Sequence, residues 1–375
     1  MRLFSLTIKK FFLVIILIFF TLIMSFGQEN NTQSKGKQKN TIKKEIKDEI
    51  KKEVKAYISH HLLDAHSFNI YSYTDKSGHK KHIGLSLPVI LWDGELKIFS
   101  SSKLHHGKTV AHIGENFYKL YHGNIYKTDE KGTINYDAKH NVINAQPLDF
   151  SITKNVFSLL IIACLMLLLF INLARSYQKN GNIAKGIGRF FEPIILYIRD
   201  EIARPNIGAH KYKKYMSFLL TVFFFIWFFN LAGLMPFGIN VTGNISITLS
   251  LAVITFLITN LTANKNYWKH IFWMPNVSLP VKIFLAPIEF LGILIKPFSL
   301  MIRLYANISA GHIILMSIIG LIFIFKTWIS TSLSLVLAFG LTILEILVAL
   351  LQAYIFTMLS ALYFGFANEE HEEAH

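Results

Sequence analysis

The sequence predicts an all-α polytopic membrane protein with about five membrane-crossing helices. The last two are long, tilted and paired as an antiparallel hairpin, and a small extracytoplasmic α+β extension precedes them all. Three observations carry this expectation. Hydrophobic residues fill 52% of the 375 positions and mean hydropathy is +0.41, more than a soluble chain of this length carries. Apolar stretches long enough to span a bilayer recur from about residue 156 onward. The net charge of +15 sits in an N-terminal polar run and in loops beside apolar segments, so the expected partner is anionic membrane lipid and not nucleic acid.

Residues 1–27 read as a signal peptide. Arg2, Lys9 and Lys10 precede an apolar core from Phe11 to Met24, with small residues at Ser25 and Gly27. A retained anchor helix is the alternative, but the core is shorter than the ~20 residues a span needs. Cleavage before Gln28 would start the next segment outside the cytoplasm.

Residues 28–150 form the polar extension. TIKKEIKDEIKKEVKAYI, from Thr41 to Ile58, puts Ile42, Ile46, Ile50, Val54 and Ile58 four apart, the narrow apolar stripe of an amphipathic helix. SLPVILWDGELKIFSSS and ENFYKLYHGNIYKT follow as β-favouring runs broken by Asp-Gly and His-Gly, which predicts hairpins. Ten of the 15 histidines fall between His60 and His140. The pairs His60/His61 and His105/His106 are adjacent and diverge on a regular element, and two lysines separate His79 from His82, so solvated loop histidines are expected and no metal site. Cys164 is the single cysteine, so no disulfide staples this extension.

Residues 151–375 are the membrane domain. Spans are expected at Val156–Leu173, Met216–Met235 and Ile245–Thr262, with a basic stretch from Arg175 to Lys214 on the cytoplasmic side. Two longer stretches, Ile283–Phe325 and Leu333–Phe366, flank the polar break KTWIST and exceed a perpendicular crossing. Five crossings leave the C-terminal NEEHEEAH in the cytoplasm.

Charges inside those last stretches are few: Glu289, Lys296, Arg303 and Glu345. The first three recur every seven residues and so share a helix face, with Asn307 one turn further. Buried ionisable groups cost ~3 kcal/mol or more in a bilayer and generally face a bundle interior or a water-filled cavity. Lys296 either joins that stripe or snorkels to the surface. Arg303 keeps its proton and has some twenty mostly apolar residues after it. In a hairpin turning near Trp328, residues equidistant from the turn stand level, which sets Arg303 opposite Gln352 and His312 opposite Glu345. A histidine facing a glutamate in low dielectric either relays protons or makes a static hydrogen bond. Arg303 and His312, nine apart, point to opposite faces, which suits a path interrupted at the arginine better than a continuous pore.

PFSLMIRLYANISAGHIIL, from Pro297, and LEILVALLQAYIFTMLSALYF, from Leu344, resemble the two signature helices of subunit a of the membrane sector of F-type rotary ATP synthases. NLAGLMPF from Asn230 and VTGNISITLSLA after it add to the resemblance, which covers about residues 151–366. It implies a proton-conducting stator in the cell inner membrane, with rotor c-ring subunits and peripheral-stalk b subunits as partners. Arg303 is then the essential arginine, Asn307, His312, Glu345 and Gln352 line the channel, and Glu289 is a carboxylate further down the same face. No cofactor is implied. No GxxxxGK[ST] loop occurs, so the chain is not expected to be catalytic itself and ATP chemistry belongs to partner subunits. The extension exceeds what the family needs; assembly, contact with a neighbouring subunit, or no separable role remain open for it. A secondary transporter or an anchored extracytoplasmic domain would be the alternatives, but no second copy of the hairpin signature and no pair of broken half-helices support the first. Five crossings are more than an anchor requires.

Overall fold

The computed structural model describes Lys52 and residues 64–369, apart from 75–79, 180, 182–184, 187, 236–238, 275–277 and 326. The expected signal peptide, the C-terminal tail beyond Glu369 and, Lys52 apart, the expected amphipathic helix lie outside these residues. Everything from residue 64 onward belongs to one compact unit, Val54–His375.

The N-terminal region is built from short antiparallel strands. β1 (Ser67–Thr74) pairs with β2 (Lys80–Ser86), β3 (Pro88–Trp92) lies between β4 (Leu96–Ser100) and β8 (Leu148–Asp149), and β6 (Asn116–Tyr121) lies between β5 (Ala111–Ile113) and β7 (Asn124–Thr128). Alternation along β3 sends Val89 and Leu91 inward onto Phe99, Leu104, Ala111, Tyr118 and Ile125, a small core of its own. Both expected hairpins form. His122 and Gly123 connect β6 to β7 with φ of 48° and 85°, the two left-handed residues of a type I′ turn, where glycine removes the steric cost at the second position. Asp93, in the β3–β4 turn, accepts hydrogen bonds from Tyr118 Oη (2.9 Å) and Asn116 Nδ2 (3.3 Å) and pairs with Lys127 (3.0 Å), tying the two hairpins together.

Helices follow. α1 (Lys154–Lys179) runs to α2 (Gly188–Tyr197), which passes through a π-helical turn (Ile198–Ala203) into the short α3 (Arg204–Ile207). Ile198, Ile202 and Ala203 are fully buried there, while Asp200 is held between Arg199 and Arg204 at 2.8 Å from each. The part of the basic stretch from Ile198 to Ile207 is therefore helical and packs its apolar residues into the core. α4 (Tyr212–Gly233) is the hub, its Leu219, Phe224, Ile226 and Phe229 enclosed and its aromatics meeting Phe170 of α1 and Phe191 of α2 edge-on. α5 (Ile245–Leu261) breaks at Thr262 and turns by 100° into α6 (Lys265–Phe272).

α7 (Leu279–Phe325) and α8 (Trp328–Asn368) are the long hairpin. At 1.5 Å per residue they extend about 70 and 60 Å, twice the hydrocarbon thickness, so much of each lies oblique to the membrane. Their turn is tighter than KTWIST suggests. Thr327 caps α8 by accepting from the Ser330 N–H, which draws Trp328 to Thr331 into the helix. Among the described residues four helices, α1, α4, α7 and α8, are long and apolar enough to cross a membrane, and a fifth crossing results if the bent α5–α6 pair counts as one. α8 packs on α4 through Ala349, Gln352, Ala353, Phe356, Ser360 and Phe364, whereas the opposite faces of α7 and α8 expose Ile302, Ile313, Leu344, Leu347 and Leu351.

Candidate functional site

Two small cavities flank the hairpin. The larger, about 40 Å³, is lined by the polar side chains of Asn230, Asn240, Thr242, Asn307, His312 and Glu345. A buried water needs roughly 10–15 Å³ of such space and two or more polar partners, so the site accommodates a short water chain. α7 supplies Asn307 and His312, α8 supplies Glu345, the C-terminal end of α4 supplies Asn230, and the α4–α5 loop supplies Asn240 and Thr242.

Glu345 enters from α8 directly against Gly311, where the absent side chain leaves room for it: a Cβ there would meet Oε1 at 2.8 Å. Both carboxylate oxygens are buried and have no hydrogen-bond partner among the described residues. Glu345 and His312 thus share one cavity at one level, as the hairpin register predicts, but without a direct hydrogen bond between them. A proton passing from one to the other would cross the water-sized space between.

The second cavity, about 10 Å³, lies among α5, α6, α7 and α8 and is lined by Thr255, Thr259, Asn260, Tyr267, Lys296 and Tyr363 together with apolar residues. Lys296 lies over the Tyr363 ring at 5.4 Å, a cation–π contact between α7 and α8. Glu289, half-buried, lies on the same face of α7 as Lys296, two turns before it. Thr255 and Thr259 turn their hydroxyls back to the carbonyls of Leu251 and Thr255.

Arg303 lies between. On α7 the second cavity reaches Leu300 and the first begins at Asn307, so the guanidinium stands some three to four residues, about 5–6 Å of helix, from each. It is half-buried and forms neither a hydrogen bond nor an ion pair with the described residues. Gln352 is buried on the α4-facing side of α8 and shares no hydrogen bond with Arg303.

Sequence reasoning missed Asn230, Asn240 and Thr242, and likewise the hydroxyl-bearing face of α5. A signal for the latter exists: Thr248, Thr255 and Thr259 recur at helical spacing and are all buried. Among the described residues no three His, Cys, Asp or Glu side chains gather as a metal site would require.

Fold and site together define a polytopic α-helical membrane protein with ionisable residues set around paired intramembrane cavities. A family model for the ATP synthase A chain matches residues 156–365. The chain belongs to this family, that of ATP synthase subunit a, the proton-translocating subunit of the Fo membrane sector. It is 40% identical to ATP synthase subunit a of Chloroherpeton thalassium over 268 residues, 64% of this chain and 79% of the relative. It is 37% identical to that of Chlorobium phaeobacteroides over 282 residues (72% and 80%) and 35% identical to ATP synthase subunit a 2 of Chlorobium luteolum over 321 (81% and 92%). The last alignment is longer than the membrane region, so the likeness reaches into the N-terminal extension. Residues 57–150 match a second family model, Domain of unknown function (DUF8433).

Proposed function

We propose that this chain is the stator that forces protons to turn a rotor, through two offset half-channels separated by Arg303. The observation that carries the proposal is the pair of cavities on either side of that residue along α7. A continuous pore would leak. Two blind cavities divided by a permanent cation conduct only if a moving carboxylate ferries each proton between them.

Protons enter from the outer side through the cavity of Asn307, His312 and Glu345 and neutralise a carboxylate on a rotor c-ring subunit, which then turns into lipid. After nearly a full revolution it meets the inner half-channel, near Glu289, Lys296 and Tyr267, and releases its proton to the cytoplasm. Arg303 attracts the ionised carboxylate and repels an excess proton. That it has no acid partner among the described residues supports this, because a clamped guanidinium would be unavailable to a passing one. Gln352 offers a neutral polar group at the same level on the facing helix. The exposed apolar faces of α7 and α8 suit the rotor, and peripheral-stalk b subunits complete the stator. ATP chemistry belongs to other subunits, and the chain itself is not an enzyme.

We place residues 28–150 outside the cytoplasm after a signal peptide at 1–27, and residues 151–375 in the cell inner membrane. Lys211 Nζ bonds the Asn368 carbonyl and Asn264 N–H bonds that of Ala367, so the α3–α4 and α5–α6 connections share one end of the bundle with the end of α8. That end carries Lys211, Lys213, Lys214, Lys265 and Lys269, as a cytoplasmic face should.

The test is ATP-driven proton pumping in inverted membrane vesicles. Arg303→Ala should abolish it, and Arg303→Lys as well, since a compact ammonium does not reproduce the planar fork. Full pumping by the assembled Ala variant would refute the proposal.

A further inference from the structure

The N-terminal domain is fastened to the head of α1. Asp64 Oδ1 accepts from the Asn155 N–H (3.1 Å) and the Ala65 carbonyl from the Lys154 N–H (2.7 Å), which satisfies two of the first N–H groups of the helix. Residues 150–153 make a second attachment. The Phe150 N–H donates to the Ile90 carbonyl (2.9 Å) and the Ile152 N–H to that of Pro88 (3.1 Å), so the chain runs on from β8 along β3 almost to Lys154, where α1 begins.

That pairing lays out one face of the sheet, because directly opposed residues of antiparallel strands share a side. Leu96, Trp92 and Leu148 stand in one row across β4, β3 and β8, and Ile98, Ile90 and Phe150 in the next. Ser100, Pro88 and Ile152 form the last row, the one closest in the chain to α1. Val89, Leu91 and Phe99 point the other way, into the core of the domain. An antiparallel sheet with one side in a core ordinarily turns polar residues to water on the other. This one turns eight apolar residues and a single serine, with no charge among them. Leu96, Trp92, Ile98, Leu148 and Phe150 are each 50–65% exposed. Contiguous apolar surface of this kind marks an interaction site.

We propose that this face rests on the outer leaflet of the membrane, with lipid as its partner. The attachment to α1 supplies the reason. Leu148 precedes Lys154 by six residues, about 20 Å of extended chain, and β4 lies two strand spacings, about 10 Å, beyond. The face is thus held beside the point where a spanning helix starts. Exposed apolar side chains resume on that helix at once, with Val156, Leu160 and Ile161. Tryptophan and phenylalanine among uncharged aliphatic residues are the composition of a membrane-interface surface. The extension becomes a foot that fixes the depth at which α1 enters the bilayer. The inference rests on placing residues 28–150 outside the cytoplasm.

The test uses the assembled membrane sector reconstituted into vesicles of phosphatidylethanolamine and phosphatidylglycerol. In a Cys164→Ser background, one fluorescent thiol probe at a time is attached at Ile98→Cys, Phe150→Cys or Lys131→Cys. Lys131 is exposed on the β7–β8 connection and serves as the water-facing reference. A face seated about 5–10 Å into the headgroup–acyl boundary should let nitroxide lipid quench the probes at Ile98→Cys and Phe150→Cys at least about threefold more than that at Lys131→Cys, with iodide showing the reverse order. Adding Trp92→Asp should cut lipid quenching at Ile98→Cys by about half or more, since surface binding scales with apolar area; unchanged quenching would overturn the proposal. Iodide quenching at Ile98→Cys equal to that at Lys131→Cys would put the face in water and overturn it as well. So would a probe at Ile98→Cys shielded from both quenchers, because a second copy, another subunit or the apolar stripe of residues 41–58 would then cover the face. Lipid quenching at Phe150→Cys alone also overturns it, because nearness to α1 explains that by itself. An impermeant thiol reagent tests the placement separately: labelling of Lys131→Cys only from the cytoplasmic side would refute the outer location, whatever the quenchers report of the face.

Discussion

The Glu345 carboxylate rests against Gly311, one residue before His312, with Oε1 where a side chain at Gly311 would begin. This contact closes the α7–α8 hairpin at the larger of the two cavities and aims the only acid of α8's apolar stretch at the helix that carries the histidine. The glycine is a matter of space, since its backbone is ordinary helix.

Gly311→Ala should therefore push the carboxylate aside without unfolding the hairpin, because the displaced group is the free end of a flexible side chain. A shift of about 1 Å in a proton relay costs roughly ten- to a hundredfold in rate, and passive proton conduction should fall by that much while the complex assembles normally. Combining it with Glu345→Asp, which withdraws the carboxylate by one methylene, should recover part of the loss. Unchanged conduction in Gly311→Ala would show that the position of the carboxylate is unimportant.

Glu345→Gln should slow proton entry by about a hundredfold or more, the usual contribution of a positioned acid–base group. The exchange of His312→Glu with Glu345→His keeps both groups in the same cavity. It should retain roughly tenfold more ATP-driven pumping than Glu345→Gln alone. Equal activities in two normally assembled variants would break the link between the cavity and proton entry.

Asp93 gives the N-terminal domain a pH dependence with a definite sign. Its hydrogen bonds with Lys127 and Tyr118 hold the carboxyl below the ordinary range, while burial and then Asp93 push the Tyr118 phenol up to about 12. A lowered folded value means that the stabilisation is present above the unfolded value near 3.9 and is lost as pH falls through the lower folded one. Acidification below about pH 4 should thus raise proteolysis of residues 88–128 in the intact chain. Asp93→Asn should cost about 1 kcal/mol at neutral pH, the net worth of an ordinary hydrogen bond, and flatten that dependence. A variant with the parental pH profile would contradict the assignment.

Much of the architecture was legible from periodicity and polarity. The expected spans at Val156, Met216 and Ile245 fall within or on α1, α4 and α5, and α7 and α8 bracket their stretches to within a few residues. A hairpin with one turn has one register, so numbering alone set Glu345 beside the His312 level. The burial of Lys154 was less visible: before an apolar run, a lysine reads as an ordinary flanking charge.

Chain order and hydropathy decided which residues enter the membrane, where the helices stop, and which levels of α7 and α8 coincide, because apolar length, breakers and helical rise are local quantities. Only the folded chain decided that Asn230, Asn240 and Thr242 join His312 around one cavity, that Gln352 is buried on α8 without a hydrogen bond to Arg303, and that a β-domain covers the head of α1. Those outcomes depend on which helix faces pack together, and contacts between residues such as Asp64 and Asn155, 91 apart in the chain, leave no periodic trace in either segment.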